Sequence, residues 1–203
     1  MFFKKSPPTN SLADEPQFRF PGTRKWQTWN GFRENEFASL LASFKDRPVH
    51  FLEIGSFEGA SAIWMFRHIL THPDSTLTCI DNNKFKSRKK LEHNLRVAGF
   101  VSRAKFHWID SQDVRSHVPD NRFDFVYVDG SHAAPNVLYD VVNAYLICKP
   151  GGIVGCDDYL FDRPEEHSLP KPAIDTFLTL MGDRVEIVRS DYQLWFRKSG
   201  GVA

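Results

Sequence analysis

The chain has 203 residues, of which 41% are hydrophobic and 25% charged, and its formal net charge is +1. This length and composition are typical of a globular domain with a buried core. Because the net charge is close to zero, no overall field would draw the chain to nucleic acid or to an anionic membrane. The first residues form no apolar leader, and no later apolar run reaches membrane-spanning length. We therefore expect a cytoplasmic protein without a membrane partner.

The three cysteines, Cys79, Cys148 and Cys156, lie in or beside apolar runs and show no CxxC spacing. This pattern predicts buried free thiols, and it argues against a disulfide framework or a zinc site. Free thiols are typical of a reducing compartment, which agrees with the expected cytoplasmic location.

The N-terminal part of the chain differs in character from the rest. Residues 1–24 mix proline, serine, asparagine and charge without periodicity, and we interpret them as a mobile arm or flap. Residues 25–203 form one predicted domain. At its start, Trp26 and Trp29 favour an attachment of the N-terminal segment to the core, with a wall of a ligand pocket as the alternative. Apolar residues at helical spacing then predict an amphipathic helix over about 33–46.

From residue 49 onward, apolar runs that predict strands alternate with stretches of helical periodicity. The predicted strands cover residues 49–54, 76–80, 105–109, 123–128 and 153–156, and the predicted helices cover 60–70, 84–98 and a segment that opens at Pro135. The predicted apolar face of this last helix consists of Val137, Leu138, Val141, Val142 and Tyr145. This alternation is typical of a parallel sheet with helices on both faces. Two more strand-like runs, 185–188 and 193–197, have no helix between them and predict an antiparallel hairpin at one edge. The predicted fold class is α/β, with a mostly parallel seven-stranded sheet.

The fourth predicted strand runs directly into Asp129-Gly130-Ser131-His132. In open parallel sheets, ligands bind beyond the carboxyl ends of the strands, which is where Asp129 and His132 would lie. One interpretation is that this aspartate and this histidine hold a metal ion and move a proton. The other is that Asp129 caps the next helix while His132 faces water.

The first predicted strand ends in Glu53-Ile54-Gly55-Ser56-Phe57-Glu58-Gly59. Gly55 and Gly59 would let a ligand approach the backbone before a helix N-terminus, although a plain tight turn also explains them. They are four residues apart, so this is not the GxGxxG fingerprint of dinucleotide-binding folds. The negative charge of Glu53 would repel a pyrophosphate, and it favours a cofactor that carries a positive charge and an amino group. Asp81, which ends the second strand, is placed to bind ribose hydroxyls.

These motifs, in this order on consecutive strands, resemble the class I S-adenosylmethionine-dependent methyltransferases over residues 49–198. The resemblance implies a single Rossmann-like domain in which the segment from Glu53 to Ser61 surrounds the methionine part of the cofactor and Asp81 binds its ribose. Asp110-Ser111-Gln112-Asp113 resembles the segment that flanks the adenine in catechol O-methyltransferase and its relatives, and the terminal hairpin matches the antiparallel final strand. The implied cofactor-binding residues are Glu53, Gly55, Ser56, Phe57, Gly59, Ser61, Asp81, Asn82, Asp110, Ser111, Gln112 and Asp129.

The fifth predicted strand ends in Cys156-Asp157-Asp158. If the fourth and fifth strands are neighbours, Asp129 and this acidic pair lie at the same edge of the sheet. Three carboxylates so close would repel one another unless a cation neutralised them, and all-oxygen ligation suits Mg²⁺ or a similar divalent ion. We therefore predict Asp129, Asp157 and Asp158 as metal ligands. The ion would acidify a bound hydroxyl group, and His132 would take the proton as general base.

The resemblance points to the same site. In the metal-dependent O-methyltransferases of the catechol and caffeoyl-CoA type, an Asp after the fourth strand and an Asp-Asn pair after the fifth hold the metal. Here the pair is Asp157-Asp158, which adds a negative charge, and His132 stands where those enzymes have a catalytic lysine. The Asp-Gly-Ser-His form is closer to the metal-dependent sugar O-methyltransferases of macrolide biosynthesis, where the histidine is the proposed base. The alternative is that Asp158 caps the next segment and His132 only lines the pocket.

The resemblance implies a small hydroxylated molecule as methyl acceptor. The Asn/Asp-Pro-Pro-aromatic motif of enzymes that methylate amino groups in nucleic acids is absent after the fourth strand, which with the near-neutral charge argues against a nucleic-acid partner. The basic run over residues 84–90 lies beside an apolar face and is explained by a solvated surface. Residues 159–171 fall where acceptor specificity would be set, and we expect His167 there to be exposed. The sequence leaves a homo-oligomer open.

The sequence is also compatible with three other functions. A metal-independent methyltransferase of the same fold would rely on His132 alone. A cofactor-binding module without turnover is disfavoured by the intact Asp-Gly-Ser-His motif, and a nucleotide-dependent oxidoreductase is disfavoured by the missing GxGxxG.

Overall fold

The structure, a computed structural model, describes residues 17–19, 32–162 and 169–200. Apart from residues 17–19, the predicted N-terminal arm lies outside the described residues, and so do Trp26, Trp29 and His167. Within the described ranges, no helix is both long enough and apolar enough to cross a membrane.

Strands and helices alternate along the described part of the chain, as the sequence predicts. The helices are α1 (Phe32–Leu40), α2 (Ala60–His68), α3 (Arg88–Val97), α4 (Ala134–Ile147) and α5 (Pro170–Met181). The strands are β1 (His50–Ile54), β2 (Thr76–Ile80), β3 (Ala104–His107), β4 (Phe123–Val128), β5 (Cys148–Cys156), β6 (Val185–Ser190) and β7 (Leu194–Lys198).

The strands form one seven-stranded sheet in the order β3-β2-β1-β4-β5-β7-β6. The strands β1 to β5 run parallel to their neighbours, and β7 lies antiparallel between β5 and β6. The predicted fold class and the antiparallel hairpin are therefore confirmed. The chain winds outward from β1 in one direction and from β4 in the other, and in such sheets ligands bind at this switch point, beyond the carboxyl ends of the strands.

Side chains that alternate along each strand build two cores, one on each face of the sheet. On β4, Phe125 and Tyr127 point into the core that α1, α2 and α3 cover, while Val126 and Val128 point into the core that α4 and α5 cover. The first core is rich in aromatic rings, and Phe37 of α1 packs edge-to-face on Tyr127 with centroids 4.9 Å apart. Helices on both faces agree with the predicted architecture.

The three cysteines are buried free thiols, as predicted. Burial raises the pKa of the Cys148 thiol to about 12, and burial also raises the pKa values of the Cys79 and Cys156 thiols. None of the three is therefore poised as a thiolate nucleophile.

Several predicted boundaries are wrong. The helix predicted over about 33–46 ends at Leu40 and is followed by a short 3-10 helix over Ala42–Phe44. The helix predicted from residue 84 begins only at Arg88, because Asn83 and Lys86 adopt left-handed φ angles of 58° and 56° in a preceding turn. The fifth strand begins at Cys148, five residues before its predicted start, and an irregularity in its pairing with β4 accommodates the extra residues.

Two helices also differ from their predictions. Helix α5 was not predicted at all, because its first turn contains prolines that resemble a loop signal. On α4, the predicted apolar residue Val142 is exposed, whereas the polar Asp140 and Asn143 are buried. The buried face of α4 is thus rotated towards its polar residues.

Candidate active site

The predicted site residues all lie at the carboxyl edge of the parallel strands. Those proposed for the cofactor lie at the ends of β1, β2 and β3 or in the segments that follow them, together with Asp129 after β4, and the three predicted metal ligands follow β4 and β5. Because neighbouring parallel strands end at the same edge, residues that are far apart in sequence meet here.

The turn after β1 depends on Gly55. Its φ is +89°, and a Cβ atom at this position would lie 2.0 Å from the backbone oxygen of Asp129. The two strand ends are also joined by a hydrogen bond, because the Asp129 N–H donates to the carbonyl of Ile54 at 2.9 Å. Only glycine fits this contact, and the fit is a packing requirement that exists without any ligand.

Gly59 has a packing role of its own. Its φ is +86°, and a Cβ atom there would lie 2.5 Å from the Cδ1 atom of Leu91 on α3. The glycine therefore permits a close contact between the start of α2 and α3. For both glycines, the tight-turn explanation is supported by the packing, and a role in cofactor binding stays a prediction.

Glu53 is a fully buried carboxyl group at the centre of this region. The Ser61 hydroxyl donates a hydrogen bond to its Oε1 atom, while Oε2 has no hydrogen-bond partner among the described residues. Burial raises the pKa of Glu53 to about 7, against the opposing influence of the Ser61 and Ser56 hydroxyls, and the Asp81 carboxylate adds a smaller upward shift. A buried carboxylate with an unused oxygen is suited to receive a cationic or N–H donor group of a ligand.

Asp81 joins the turn after β2 to the turn after β1. Its Oδ2 atom accepts a hydrogen bond from the backbone N–H of Phe57 at 2.9 Å, and its Oδ1 atom accepts one from Asn83 at 2.6 Å. The Ser87 hydroxyl also donates to Oδ1, at 3.3 Å. The second lone pair of Oδ2 is therefore the one left to accept a hydrogen bond from a ribose hydroxyl while Asp81 orders both loops.

The predicted adenine-side residues are joined by side-chain hydrogen bonds. The Asn82 amide donates to Asp110 at 2.8 Å, and the Gln112 amide donates to Asn136 of α4 at 3.1 Å. Asn136 in turn donates to Ser131 at 3.3 Å. The segment after β3 is thus linked through α4 to the Asp129–His132 loop.

The three predicted metal ligands come together as expected. The ligand oxygens of Asp129, Asp157 and Asp158 all lie within 4.8 Å of one another, and Asp157 is buried. Two oxygens bound to one Mg²⁺ or Ca²⁺ ion are at most about 4 to 5 Å apart, since each lies about 2.1 to 2.5 Å from the ion. The spacing and the all-oxygen donor set therefore fit a hard divalent cation.

His132 lies beside this acidic group. Its Nε2 atom is 2.9 Å from Oδ2 of Asp158, and its side chain is 40% exposed, so an acceptor molecule can reach the ring. The other oxygen of Asp158 accepts a hydrogen bond from the Tyr192 hydroxyl at 2.7 Å. The ring of Phe161 packs against His132 with centroids 4.3 Å apart. Asp158 therefore orients the imidazole ring of His132, and the role of His132 as a base stays a prediction.

A family comparison identifies the kind of domain that carries this site. Residues 52–159, more than half of the chain, match the model of a family described as Methyltransferase domain. The chain belongs to this methyltransferase family. The matched range runs from β1 to the end of β5 and includes both the Glu53 region and the acidic cluster, so the resemblance to class I methyltransferases is confirmed.

Solved structures share the fold of this methyltransferase domain at low sequence identity. A protein from Corynebacterium glutamicum is 18% identical with a TM-score of 0.66, covering 82% of this chain and 80% of that one. The O-methyltransferase TomG from Streptomyces achromogenes, involved in tomaymycin synthesis and solved with S-adenosylmethionine, is 18% identical (TM-score 0.64, coverage 88% and 86%). A Bacillus cereus O-methyltransferase solved with S-adenosylhomocysteine is 17% identical (TM-score 0.65, coverage 83% and 82%). Among curated protein sequences, none matches this chain.

Sequence reasoning did not find every polar residue of the methyltransferase site. Tyr192 and Gln193, at the tip of the β6–β7 hairpin, contact the acidic cluster. Asp140 of α4 is fully buried, neither of its carboxylate oxygens has a hydrogen-bond partner among the described residues, and burial raises its pKa to about 6. The available signal for Asp140 was a lone acidic residue in an otherwise apolar stretch of helix.

Proposed function

We propose that this methyltransferase domain transfers a methyl group from S-adenosylmethionine to a hydroxyl group of a small molecule. Asp129, Asp157 and Asp158 would hold a divalent cation that supports the reaction, and His132 would act as general base. One observation carries the proposal. At one edge of the sheet of a methyltransferase domain lie the buried carboxyl group of Glu53 and a cluster of three aspartates with a histidine beside it.

The cofactor assignment is supported by the family and by chemistry. Two structural neighbours were solved with S-adenosylmethionine or S-adenosylhomocysteine. S-adenosylmethionine carries a sulfonium charge and an amino group, and the buried Glu53 with its unused Oε2 atom would favour such a ligand over a pyrophosphate. Asp81, which orders the loops after β1 and β2, would accept the ribose hydroxyls.

The chain's own residues have distinct tasks in the proposed reaction. When bound, a divalent ion would neutralise the carboxylates and lower the pKa of an acceptor hydroxyl. Asp158 orients the imidazole of His132: if Nε2 carries the proton that faces Asp158, Nδ1 holds the lone pair that receives the acceptor proton. The acceptor oxygen forms a bond to the methyl carbon as the carbon–sulfur bond breaks, which leaves S-adenosylhomocysteine.

One observation favours a metal-independent form of the same reaction. Both oxygens of Asp158 accept hydrogen bonds from side chains, one from His132 and one from Tyr192. In that form Asp158 would act only as the orienting partner of His132. The acceptor would again be a small hydroxylated molecule, since nothing in the composition favours a nucleic-acid or membrane partner.

The first experiment is calorimetry with S-adenosylmethionine, S-adenosylhomocysteine and NAD as separate ligands. We expect the first two to bind and NAD not to bind, because the acidic Glu53 disfavours a pyrophosphate group in the turn after β1. Tight NAD binding without binding of the other two would overturn the proposed function.

A second experiment separates the metal from the base. Small hydroxylated compounds are screened with methyl-labelled S-adenosylmethionine, and a compound that is turned over is tested again with chelator and with the Asp129→Asn and His132→Ala variants. We expect chelator and Asp129→Asn to remove most activity, and His132→Ala to lower kcat by about 10² to 10⁴ without loss of cofactor affinity. Activity that survives chelation and Asp129→Asn, but not His132→Ala, would establish the metal-independent form.

A further inference from the structure

The tip of the β6–β7 hairpin lies opposite the acidic end of β5. In the antiparallel register, Gly155 pairs with Trp195 and Cys156 pairs with Leu194. Continuing this register by one and two residues places Gln193 opposite Asp157 and Tyr192 opposite Asp158. Each of the two acidic residues after β5 therefore meets one residue of the hairpin.

Gln193 makes three side-chain hydrogen bonds although its side chain is buried. Its amide nitrogen donates to Asp157 Oδ1 and to the Tyr127 hydroxyl, both at 2.9 Å, and its oxygen accepts from the Trp195 indole at 3.1 Å. An indole N–H can only donate, so this contact fixes which end of the Gln193 amide faces Asp157. Because the residue is 1% exposed, water cannot replace the donor that Asp157 receives.

Tyr192 contacts the other acidic residue. Its hydroxyl donates to Asp158 Oδ1 at 2.7 Å, while Oδ2 of the same carboxylate lies 2.9 Å from His132 Nε2. Two side chains from different elements thus hold the carboxylate from both sides. Asp158 itself has a left-handed φ of 54°, a conformation that aspartate adopts more readily than most residues other than glycine.

The hairpin tip is itself anchored. Asp191 accepts a hydrogen bond from the backbone N–H of Gln193 at 3.2 Å and forms an ion pair with Arg189. Arg189 also pairs with the buried Glu36 of α1 at 2.8 Å. Tyr192 and Gln193 therefore lie on a hairpin tip that Arg189 ties to α1.

We infer that Tyr192 and Gln193 are positioning residues of the cation site, with Gln193 setting the orientation of Asp157 and Tyr192 that of Asp158. The inference rests on the proposed function, because it concerns the carboxylates assigned there to the cation. The β6–β7 hairpin would then have a role besides extending the sheet, because it donates hydrogen bonds to two of the proposed ligand side chains. Partners of this kind commonly contribute ten-fold or more to the affinity of a metal site.

The test uses Mn²⁺ as the probe ion and the Tyr192→Phe variant. Tyr192 is 37% exposed, so removing its hydroxyl leaves the core intact. The matched control is Tyr139→Phe, which removes the same atom from an exposed tyrosine on α4. Calorimetry measures Mn²⁺ affinity in the presence of saturating S-adenosylhomocysteine, and separate titrations measure the affinity for S-adenosylhomocysteine itself.

We expect Tyr192→Phe to bind Mn²⁺ about ten-fold more weakly than the wild type, with its affinity for S-adenosylhomocysteine and its melting temperature unchanged. Tyr139→Phe should match the wild type in all three measurements. Equal Mn²⁺ affinity in Tyr192→Phe and the wild type overturns the inference alone. A wild type that binds S-adenosylhomocysteine but no Mn²⁺ overturns the inference together with the cation in the proposed function, and leaves the cofactor assignment standing.

Discussion

Glu53 shows how a single residue can be unfavourable for the fold and useful for the site. Its carboxyl group is fully buried, one oxygen lacks a hydrogen-bond partner among the described residues, and burial raises its pKa to about 7. An apolar or amide side chain would avoid the cost of removing this charge from water. The neighbouring Ser61 hydroxyl compensates for only one of the two oxygens.

The first prediction concerns the pH dependence of cofactor binding by Glu53. A cationic ligand favours the ionised carboxylate, so S-adenosylmethionine affinity should rise with pH up to the Glu53 pKa of about 7. Between pH 5.5 and pH 7 we expect a gain of about ten-fold in the wild type, measured by calorimetry. In Glu53→Gln the affinity should be lower at pH 7 and nearly independent of pH over this range.

The control for this prediction is Glu186→Gln, which removes an exposed carboxylate from β6. This variant should keep the pH dependence of the wild type. If Glu53→Gln also keeps it, the carboxylate does not contact the cationic part of the ligand.

At the scale of elements, the turn after β1 is determined by contact with the end of β4. Gly55 and Gly99 both have positive φ angles, +89° and +81°. A Cβ atom on Gly55 would collide with the Asp129 backbone, whereas a Cβ atom on Gly99 would meet nothing within 4 Å. The two glycines therefore separate the conformational effect of an alanine from its packing effect.

Alanine substitutions at Gly55 and Gly99 should therefore differ in their cost. Gly99→Ala should lower the free energy of unfolding by about 1 to 2 kcal/mol, the cost of a left-handed alanine. Gly55→Ala should cost more than this, because the β1 and β4 ends must also move apart, and it should weaken S-adenosylhomocysteine binding. Urea denaturation and calorimetry measure the two effects. Equal unfolding free energies for the two variants would show that the close approach to Asp129 contributes nothing.

The elements that sequence patterns predicted well are those with strong local signals. Five apolar runs with acidic or glycine-rich ends indicated the parallel strands, and the rule that such strands end at one edge brought Asp129, Asp157 and Asp158 together. Helix α5 was missed because Pro170 and Pro172 resemble loop residues, although proline is accepted in a first helical turn, where its missing N–H has no intrahelical partner.

The sequence patterns did not predict contacts that depend on strand register. The meeting of Gln193 with Asp157 follows from the antiparallel register of β5 and β7. Alternation of apolar residues shows which face a side chain takes, but it does not select the register at a position between two polar turns. The burial of Asp140 was missed for a related reason, since the helix it belongs to packs with a rotation that the apolar residues alone did not indicate.

In the whole molecule, two buried carboxyl groups lie on opposite faces of the sheet. Glu53 points to the face covered by α2, where Ser61 contacts it, and Asp140 projects from α4 on the other face. Burial raises the pKa of Glu53 to about 7 and that of Asp140 to about 6. The folded, ligand-free protein therefore binds protons more tightly at these groups than the unfolded chain does.

The third prediction is that this protonation difference makes the ligand-free protein lose stability as pH rises. A raised carboxyl pKa means that the folded state holds more protons between the unfolded and folded pKa values, so these two groups lower the unfolding free energy as pH increases towards 7. Relative to the wild type, we expect Glu53→Gln to gain about 2 kcal/mol between pH 5 and pH 8, and Asp140→Asn about 1 kcal/mol. Urea denaturation without cofactor measures both.

The double variant decides whether the two groups act independently. With the sheet between them, their effects should add, which gives about 3 kcal/mol over the same pH interval. A double variant whose stability follows pH as the wild type's does would show that neither carboxyl group has a raised pKa in the folded protein, so that both ionise there as they do in the unfolded chain. If instead only the Glu53→Gln part is seen, Asp140 has gained a compensating partner, such as a buried water, and the stability cost of the unligated site lies with Glu53 alone.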